Sequence, residues 1–349
     1  MTIDRGIFIR NIYYMLTYAF QELKQNNYEE IAGEDFDEIH NLFAEILARG
    51  ISYQLKQGLH KEYISCHESL PTLKGKLNIN GAINNLMQKR QKIDCEYDEL
   101  SENNKFNQIL KTTVQFLLKH PKVKQSKKAS LKRLMLFFSN IDVLDISTIK
   151  WTTIRFDRNS KTYQMLLYIC SFILDEMLMT TKKGAYKMQK FSDERMCRLY
   201  EKFVLEYYKK HHPDLKAKAT RVDWNINKEE STGGILPAMQ TDIMLTLKER
   251  TLIIDTKYYT KSMQYQFEKK SIHSNNLYQI HSYVMNHDAN HTGKVDGMLL
   301  YAKTEEDIIP NGHTKFNDGN VIYYRTLDLN QNFENIKKQL DGFVESPPL

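Results

Sequence analysis

The sequence predicts a mixed α/β protein in two parts. A mostly helical N-terminal domain carries a small β-rich finger, and a C-terminal domain is built on a mixed sheet flanked by helices. Three observations predict this. Apolar residues recur at helical spacing in the N-terminal half, as in the stripe Phe106, Ile109, Leu110, Val114, Leu117 and Leu118. Between about residues 60 and 97 the pattern changes to strand-like alternation broken by turn residues. The C-terminal half runs helix, strands, helix, strand, strand, helix, an order that suits a sheet covered by helices.

In chain order, Asn11 to Phe20 is apolar nearly all round and reads as a buried helix. A second helix spans about Phe36 to Leu55, with Leu42, Phe43, Ile46 and Leu47 at helical spacing. Glu62 to His67 alternates like a strand, Pro71 and Gly75 mark a turn, and Lys76–Ile79 and Lys92–Tyr97 read as strands around a short helix at Ile83–Met87. The tip of this finger is basic, at Lys74, Gly75 and Lys76. It is either an ordinary solvated loop or the end that touches a partner. Ser101 offers an N-cap to the helix that follows. Leu131 to Phe138 begins another helix, and the lysines between Lys119 and Lys132 suit a solvated helix end. Lys161 to Met179 is helical and apolar. These readings divide the chain into a domain over 1–155, a connecting helix over 156–190 and a C-terminal domain over 191–349.

The C-terminal domain opens with a helix from Asp193 to Tyr208, buried through Met196, Leu199, Tyr200, Phe203, Val204 and Tyr207. A strand near Thr220–Trp224 precedes two apolar runs, Leu236–Leu247 and Thr251–Tyr259, which flank the charged turn Lys248-Glu249-Arg250 and read as a β-hairpin. A polar loop with Lys261, Lys269 and Lys270 follows. Then come a helix over Asn276–Tyr283, strands over Val295–Tyr301 and Asn320–Tyr324, and a terminal helix over Leu329–Phe343.

Composition narrows the function classes. A chain of 349 residues with 41% apolar residues is long enough for a sizeable core. No apolar run approaches the roughly 18 residues of a membrane span, and Asp4, Arg5 and Arg10 interrupt any signal-like opening. Cys66, Cys95, Cys170 and Cys197 lack C-x-x-C spacing, which argues against a zinc site and for a reducing, cytoplasmic setting. A net charge of +6 permits a polyanionic partner without requiring one. There is no G-x-x-x-x-G-K-[ST] phosphate loop, since Gly293-Lys294 lacks the upstream glycine, and no G-x-G-x-x-G. The chain itself is therefore expected to bind no nucleotide.

The chemistry concentrates on the hairpin. Side chains on a strand alternate faces, so Asp255 and Lys257 share one face while Leu252, Ile254 and Thr256 take the other. The turn lets Asp242 on the first strand meet Asp255 on the second. Charges inside an apolar sheet must be solvated, paired or bound to metal. Two aspartates supply hard oxygen ligands that suit Mg²⁺, which completes its shell with waters and substrate phosphate. Lys257 is placed to orient or deprotonate a water, or to stabilise charge on phosphorus. The competing reading is a structural Asp–Lys pair on a half-exposed hairpin. Downstream, Gln279 and Tyr283 lie one turn apart on the same helix face. Lys261 lies where it would contact backbone phosphates, or simply solvent.

Asp242 with Asp255-Thr256-Lys257 resembles the PD-(D/E)xK nuclease superfamily, with the proline displaced to Pro237. The resemblance implies a metal at Asp242 and Asp255, a catalytic Lys257, and an assisting glutamate from the preceding helix, Glu201, with Glu206 the weaker alternative. Gln279 and Tyr283 match the Q-x-x-x-Y of RecB-type members, where the pair supports the active site and approaches DNA. Over the whole chain, Arg10–Ala19, Leu70–Lys76, Leu236–Asp242, Ile254–Tyr259 and His273–Gln279 resemble the McrC family of McrBC restriction systems. That resemblance implies a Mg²⁺-dependent endonuclease subunit whose partner is a McrB-like AAA+ GTPase hexamer that recognises modified cytosine in double-stranded DNA. It also implies that the N-terminal half binds the ring and stimulates its GTPase, with the finger and Lys74–Lys76 entering the pore. The alternatives are a stand-alone RecB-like nuclease and a regulatory adaptor of the GTPase.

Overall fold

The computed structural model describes residues 5–20, 38–157, 160–181, 185–227, 229–231, 235–258, 263–266, 269–303 and 309–345. The chain divides into two compact units, His40–Thr181 and Met1–Ile39 with Lys182–Leu349.

In the first unit, helices α2 (Ile39–Gln57), α4 (Lys105–Lys119), α5 (Gln125–Met135) and α6 (Lys161–Thr181) bury the predicted apolar stripes. Leu42, Ile46, Leu47, Leu110, Val114, Leu117 and Cys170 are fully enclosed. The finger grows from this bundle as an antiparallel sheet of β1 (Glu62–Leu70), β2 (Lys76–Leu77) and β3 (Ile93–Ser101), in the order β1-β3-β2, with α3 (Ile79–Met87) between β2 and β3. Its root is clamped through amides. The His60 carbonyl accepts from Asn104 Nδ2 at 2.7 Å and Asn107 Nδ2 at 2.9 Å, and Tyr163 donates to Asn107 Oδ1 at 2.9 Å. The cap of α4 is therefore Asn104 rather than the expected Ser101. The Asn104 side chain accepts from the backbone N–H of Phe106 and Asn107, whereas Ser101 closes β3.

In the second unit, the sheet order is β11-β12-β10-β7-β6. It is made of β6 (Ile243–Thr246), β7 (Thr251–Lys257), β10 (Val295–Ala302), β11 (Gly312–Lys315) and β12 (Val321–Leu327). Strands β7, β10 and β12 are parallel, and β6 and β11 run antiparallel at the two edges. The near-continuous apolar runs of β7 and β10 belong to this central position, buried on both faces. A short pair, β4 (Arg221–Val222) with β5 (Met239–Gln240), adjoins the hairpin. The expected polar loop after the hairpin contains instead a second hairpin, β8 (Met263–Gln266) with β9 (Lys269–Ile272). Its polar residues alternate with only Met263, Tyr265 and Ile272, a weak strand signal.

Helices α1 (Arg5–Ala19), α7 (Ala185–His211), α8 (Ser274–His287) and α9 (Phe333–Glu345) complete this unit. The first helix is buried as expected, but it belongs here and not with a domain ending at residue 155. Its aromatic face decides this. Tyr14 stacks on Phe333 at 4.3 Å between centroids, Tyr18 meets Phe203 edge-on, and Asn11 Nδ2 donates to the Leu329 and Gln331 carbonyls. In place of one connecting helix over 156–190, α6 ends at Thr181 and α7 starts at Ala185. Among the described residues no helix is long and apolar enough to cross a membrane.

Candidate active site

Strand β7 carries the site into the centre of the sheet. Its register against β10 and β12 sets Asp255 level with Leu299 and Tyr324, and Lys257 level with Tyr301 and Thr326. These residues share the face covered by α8 through Ile280, Tyr283 and Val284. Gly297 permits that cover to sit close. A Cβ there would stand 2.7 Å from Ile280 Cγ1 and 3.0 Å from Val284 Cγ2. Register alone places Asp242, just before β6, opposite Asp255, because Ile243 pairs with Ile254.

The hairpin expectation thus holds, and the charged groups meet as the spacing required. Asp255 is buried. Its Oδ2 lies 2.7 Å from Lys257 Nζ and receives no well-directed hydrogen bond. Lys257 Nζ donates to Gln279 Oε1 at 3.0 Å, and Gln279 Nε2 donates to the Tyr283 hydroxyl at 2.9 Å. The Q-x-x-x-Y pair and the D-x-K lysine therefore form one relay. Asp242 Oδ2 accepts from the Thr256 N–H at 2.7 Å and the Thr256 hydroxyl at 2.8 Å.

Thr256 is a site residue that sequence reasoning left on the other face. Its side chain does face away from Asp255, but strand pairing ends at Ile243, so its N–H and hydroxyl turn to the Asp242 carboxylate. The position between the two motif residues was the available signal. Cys197 was also missed. Its Sγ contacts the Tyr258 carbonyl at 3.1 Å, and Tyr200 sits 6.2 Å from Tyr258 between ring centroids, so α7 is docked on the end of β7.

That docking brings Glu201 into the field of the two aspartates. Its carboxyl is pushed up to about 7, first by burial and then by Asp242 and Asp255, against the opposing pull of Arg198 and Lys257. Asp255 rises to about 6, chiefly by burial, with Lys257 opposing and Asp242 adding. Glu206 instead pairs with Lys209 at 2.8 Å. Lys261 lies outside the described residues. The candidate metal-holding oxygens are those of Asp242 and Asp255, with Glu201 nearby. Among the described residues no three His, Cys, Asp or Glu side chains form an ion-holding group.

In the finger, Gly75 adopts φ +73°, and a Cβ there would stand 2.5 Å from the Glu96 carbonyl, so the basic tip turns only because glycine occupies it. Lys74 Nζ lies 3.7 Å from the centroid of the Tyr97 ring. The expected short helix behind the tip runs from Ile79 to Met87, and its exposed face was not read from the sequence. Ile79, Ile83, Leu86 and Met87 of α3 are 65%, 49%, 76% and 77% exposed, an uncovered apolar stripe at helical spacing.

The McrBC 5-methylcytosine restriction system component family has a sequence profile that matches residues 7–302. The type IV methyl-directed restriction enzyme EcoKMcrBC of Escherichia coli (strain K12) is 27% identical over 95% of both chains. Two solved structures are similar. One is a half-complex from a tetradecameric assembly of Thermococcus gammatolerans McrB AAA+ hexamers with bound McrC, with TM-score 0.47 and 15% identity over 94% of this chain and 76% of that one. The other is the Thermococcus gammatolerans McrBC complex, with TM-score 0.42 and 20% identity over 59% of each chain. With the profile spanning most of its length, the chain belongs to the McrBC 5-methylcytosine restriction system component family.

Proposed function

We propose that this chain is the DNA-cleaving subunit of a GTP-dependent restriction complex, hydrolysing phosphodiester bonds with a divalent cation, Mg²⁺, at Asp242 and Asp255. One observation carries the reading: Asp242 meets Asp255 and Lys257 of β7 where β6 pairs with it, and Glu201 of α7 lies close enough for the carboxylates to move one another's protonation. The donor set fits a hard cation. Among the described residues Asp255 Oδ2 is buried without a hydrogen-bond partner, 2.7 Å from the Lys257 ammonium, and two carboxylates leave the remaining positions to water and phosphate oxygens. A bound cation supplies charge neutralisation and Lewis acidity at the phosphate.

The chain's own groups supply the rest. Lys257, its side chain 12% exposed, is held between Asp255 and Gln279, which fixes its ammonium beside the carboxylates, where it orients water or stabilises negative charge at phosphorus. Gln279 accepts from Lys257 and donates to Tyr283, so α8 holds the lysine in place. Thr256 fixes the rotamer of Asp242. Glu201, with its raised carboxyl, is suited to exchange a proton near neutral pH.

The partner we infer is a McrB-like AAA+ GTPase hexamer, met by the finger through Lys74, Gly75, Lys76 and the exposed stripe of α3. Recognition of modified cytosine in double-stranded DNA falls to that partner. The absence of a phosphate-loop motif in the sequence supports dividing the labour this way.

The test is cleavage of modified circular DNA with Mg²⁺ by this chain alone, with its GTPase partner, and with partner plus GTP. Cleavage only in the full mixture, lost in Asp242→Ala and Lys257→Ala while GTPase stimulation persists, is the expected result. Undiminished cleavage by both variants refutes the site. Cleavage by the chain alone restores the stand-alone nuclease.

A further inference from the structure

The sheet face turned away from the aspartates carries a second charged feature. Register sets Arg325 of β12 level with Leu300 and Thr256, so its side chain leaves the face opposite to Asp255 and Lys257. Arg325 is only 9% exposed. Its Nη1 donates to the Gly312 carbonyl at 2.7 Å, to Asn311 Oδ1 at 3.1 Å and to the Tyr324 carbonyl at 3.1 Å. Its guanidinium carbon lies 5.4 Å from the centroid of the Tyr323 ring.

Among the described residues no carboxylate pairs with this guanidinium, and burial lowers its pKa from the usual arginine value. An enclosed cation without a counter-charge is costly. Arginine has five donors, and the bonds above occupy Nη1 alone. The side chain lines a cleft of about 550 Å³ together with Lys338, His313, Gln339 and Asn311. Lys338 and His313 stand exposed at its edge. Among the described residues the cleft thus presents a planar fork, a point charge and neutral amides, and no acidic one lines it. That set matches a tetrahedral oxyanion, which a guanidinium binds in bidentate fashion.

We propose that this cleft is an oxyanion site of the phosphate class, taking either a DNA backbone phosphodiester away from the cut or free phosphate. It would hold the charge that Arg325 lacks, and it would add an anchor on the far side of the sheet from the carboxylates.

The experiment uses the full chain as wild type, Arg325→Gln and Lys338→Gln, without divalent cation. Thermal midpoints are taken in inorganic phosphate and in chloride at equal ionic strength. Binding of a short unmodified duplex is followed by fluorescence anisotropy over a salt series. Phosphate is expected to raise the wild-type midpoint, the rise to at least halve in Lys338→Gln, and to vanish in Arg325→Gln. The lysine lies on an exposed helix face, so its variant keeps the test open if the arginine variant folds poorly. If the site holds DNA, Lys338→Gln also weakens duplex binding roughly threefold and lowers the salt slope by about 1. A phosphate response with unchanged duplex binding assigns free phosphate instead. The same phosphate response, or none, in all three chains overturns the site. Neither readout involves cleavage, so the result stands apart from the nuclease assignment.

Discussion

Glu201→Gln removes one of three negative charges gathered at the end of β7 and keeps the shape of the side chain. In the folded chain the Glu201 carboxyl is raised from 4.5 to about 7, by burial, Asp242 and Asp255. A folded pKa above the unfolded one means that the folded state binds the proton more tightly, so ionising Glu201 works against folding. The penalty is absent below about pH 4.5, grows between there and pH 7, and is fully present above. Taken whole, the rise corresponds to about 3 kcal/mol. The side chain is only half-buried, and solvent screening reduces this to on the order of 1 to 2 kcal/mol. Glutamine escapes the penalty. Calorimetry without divalent cation is therefore expected to show equal thermal midpoints for wild type and variant at pH 4.5. At pH 8 the variant should unfold a few degrees higher. With Mg²⁺ and the GTPase partner at pH 8, cleavage by the variant should fall by at least tenfold. A variant that unfolds lower at pH 8, or one stabilised equally at both pH values, would refute the argument that Asp242, Asp255 and Glu201 share one field.

The other predictions concern how the site is held. Thr256→Val removes the hydroxyl that donates to Asp242 but keeps the N–H bond; cleavage should need several-fold more Mg²⁺, and an unchanged metal titration would count against this role. Gly297→Val drives a side chain against Ile280 and Val284; a loss of about 1 to 3 kcal/mol in denaturant unfolding is expected, together with weaker cleavage because Gln279 and Tyr283 ride on the displaced helix. Gln279→Ala breaks the link between Lys257 and Tyr283; single-turnover cleavage should slow at least tenfold while duplex binding changes less than threefold, and the reverse pattern would make Gln279 a DNA contact instead of a positioning residue.

How much of this was legible before the structure depended on the range of each signal. The hairpin was legible because two apolar runs and a charged turn are local, and pairing then follows from period two. The pairing of Asp242 with Asp255 followed from it. The place of α1 was not legible, because an all-round apolar helix reveals that it is buried without revealing where. Contacts far along the chain decide the matter, Tyr14 on Phe333, Tyr18 on Phe203 and Asn11 on the Leu329 and Gln331 carbonyls. Asn104 outcompeted Ser101 as cap because its amide also reaches the His60 carbonyl, a tertiary contact without a local signature. Thr256 was passed over because alternation assigns a face but does not say where strand pairing stops. The cleft at Arg325 left no trace in sequence, since an arginine in an apolar strand reads the same with or without a counter-charge.

The cost of the site explains why its supports are so numerous. Buried carboxylates that raise one another's pKa weaken the fold above neutral pH, and a free-standing hairpin would relax by turning them to solvent. Here each escape is closed by a different element. The central position of β7 denies Asp255 water, Thr256 pins Asp242, α7 docked through Cys197 and Tyr200 holds Glu201 in, and α8 seated on Gly297 keeps Lys257 between Asp255 and Gln279. Stability given up at a cluster of like charges is recovered when a divalent cation binds the folded form and not the unfolded one, by about 2.7 kcal/mol at a hundredfold excess over Kd. At the proposed metal site, the same charges that make the unit least stable alone at pH 8 are thus the ones expected to make it respond most to the cation. A rise in thermal midpoint on adding Mg²⁺ should accordingly be larger at pH 8 than at pH 5, since protons occupy the raised carboxyls of Asp255 and Glu201 at the lower pH.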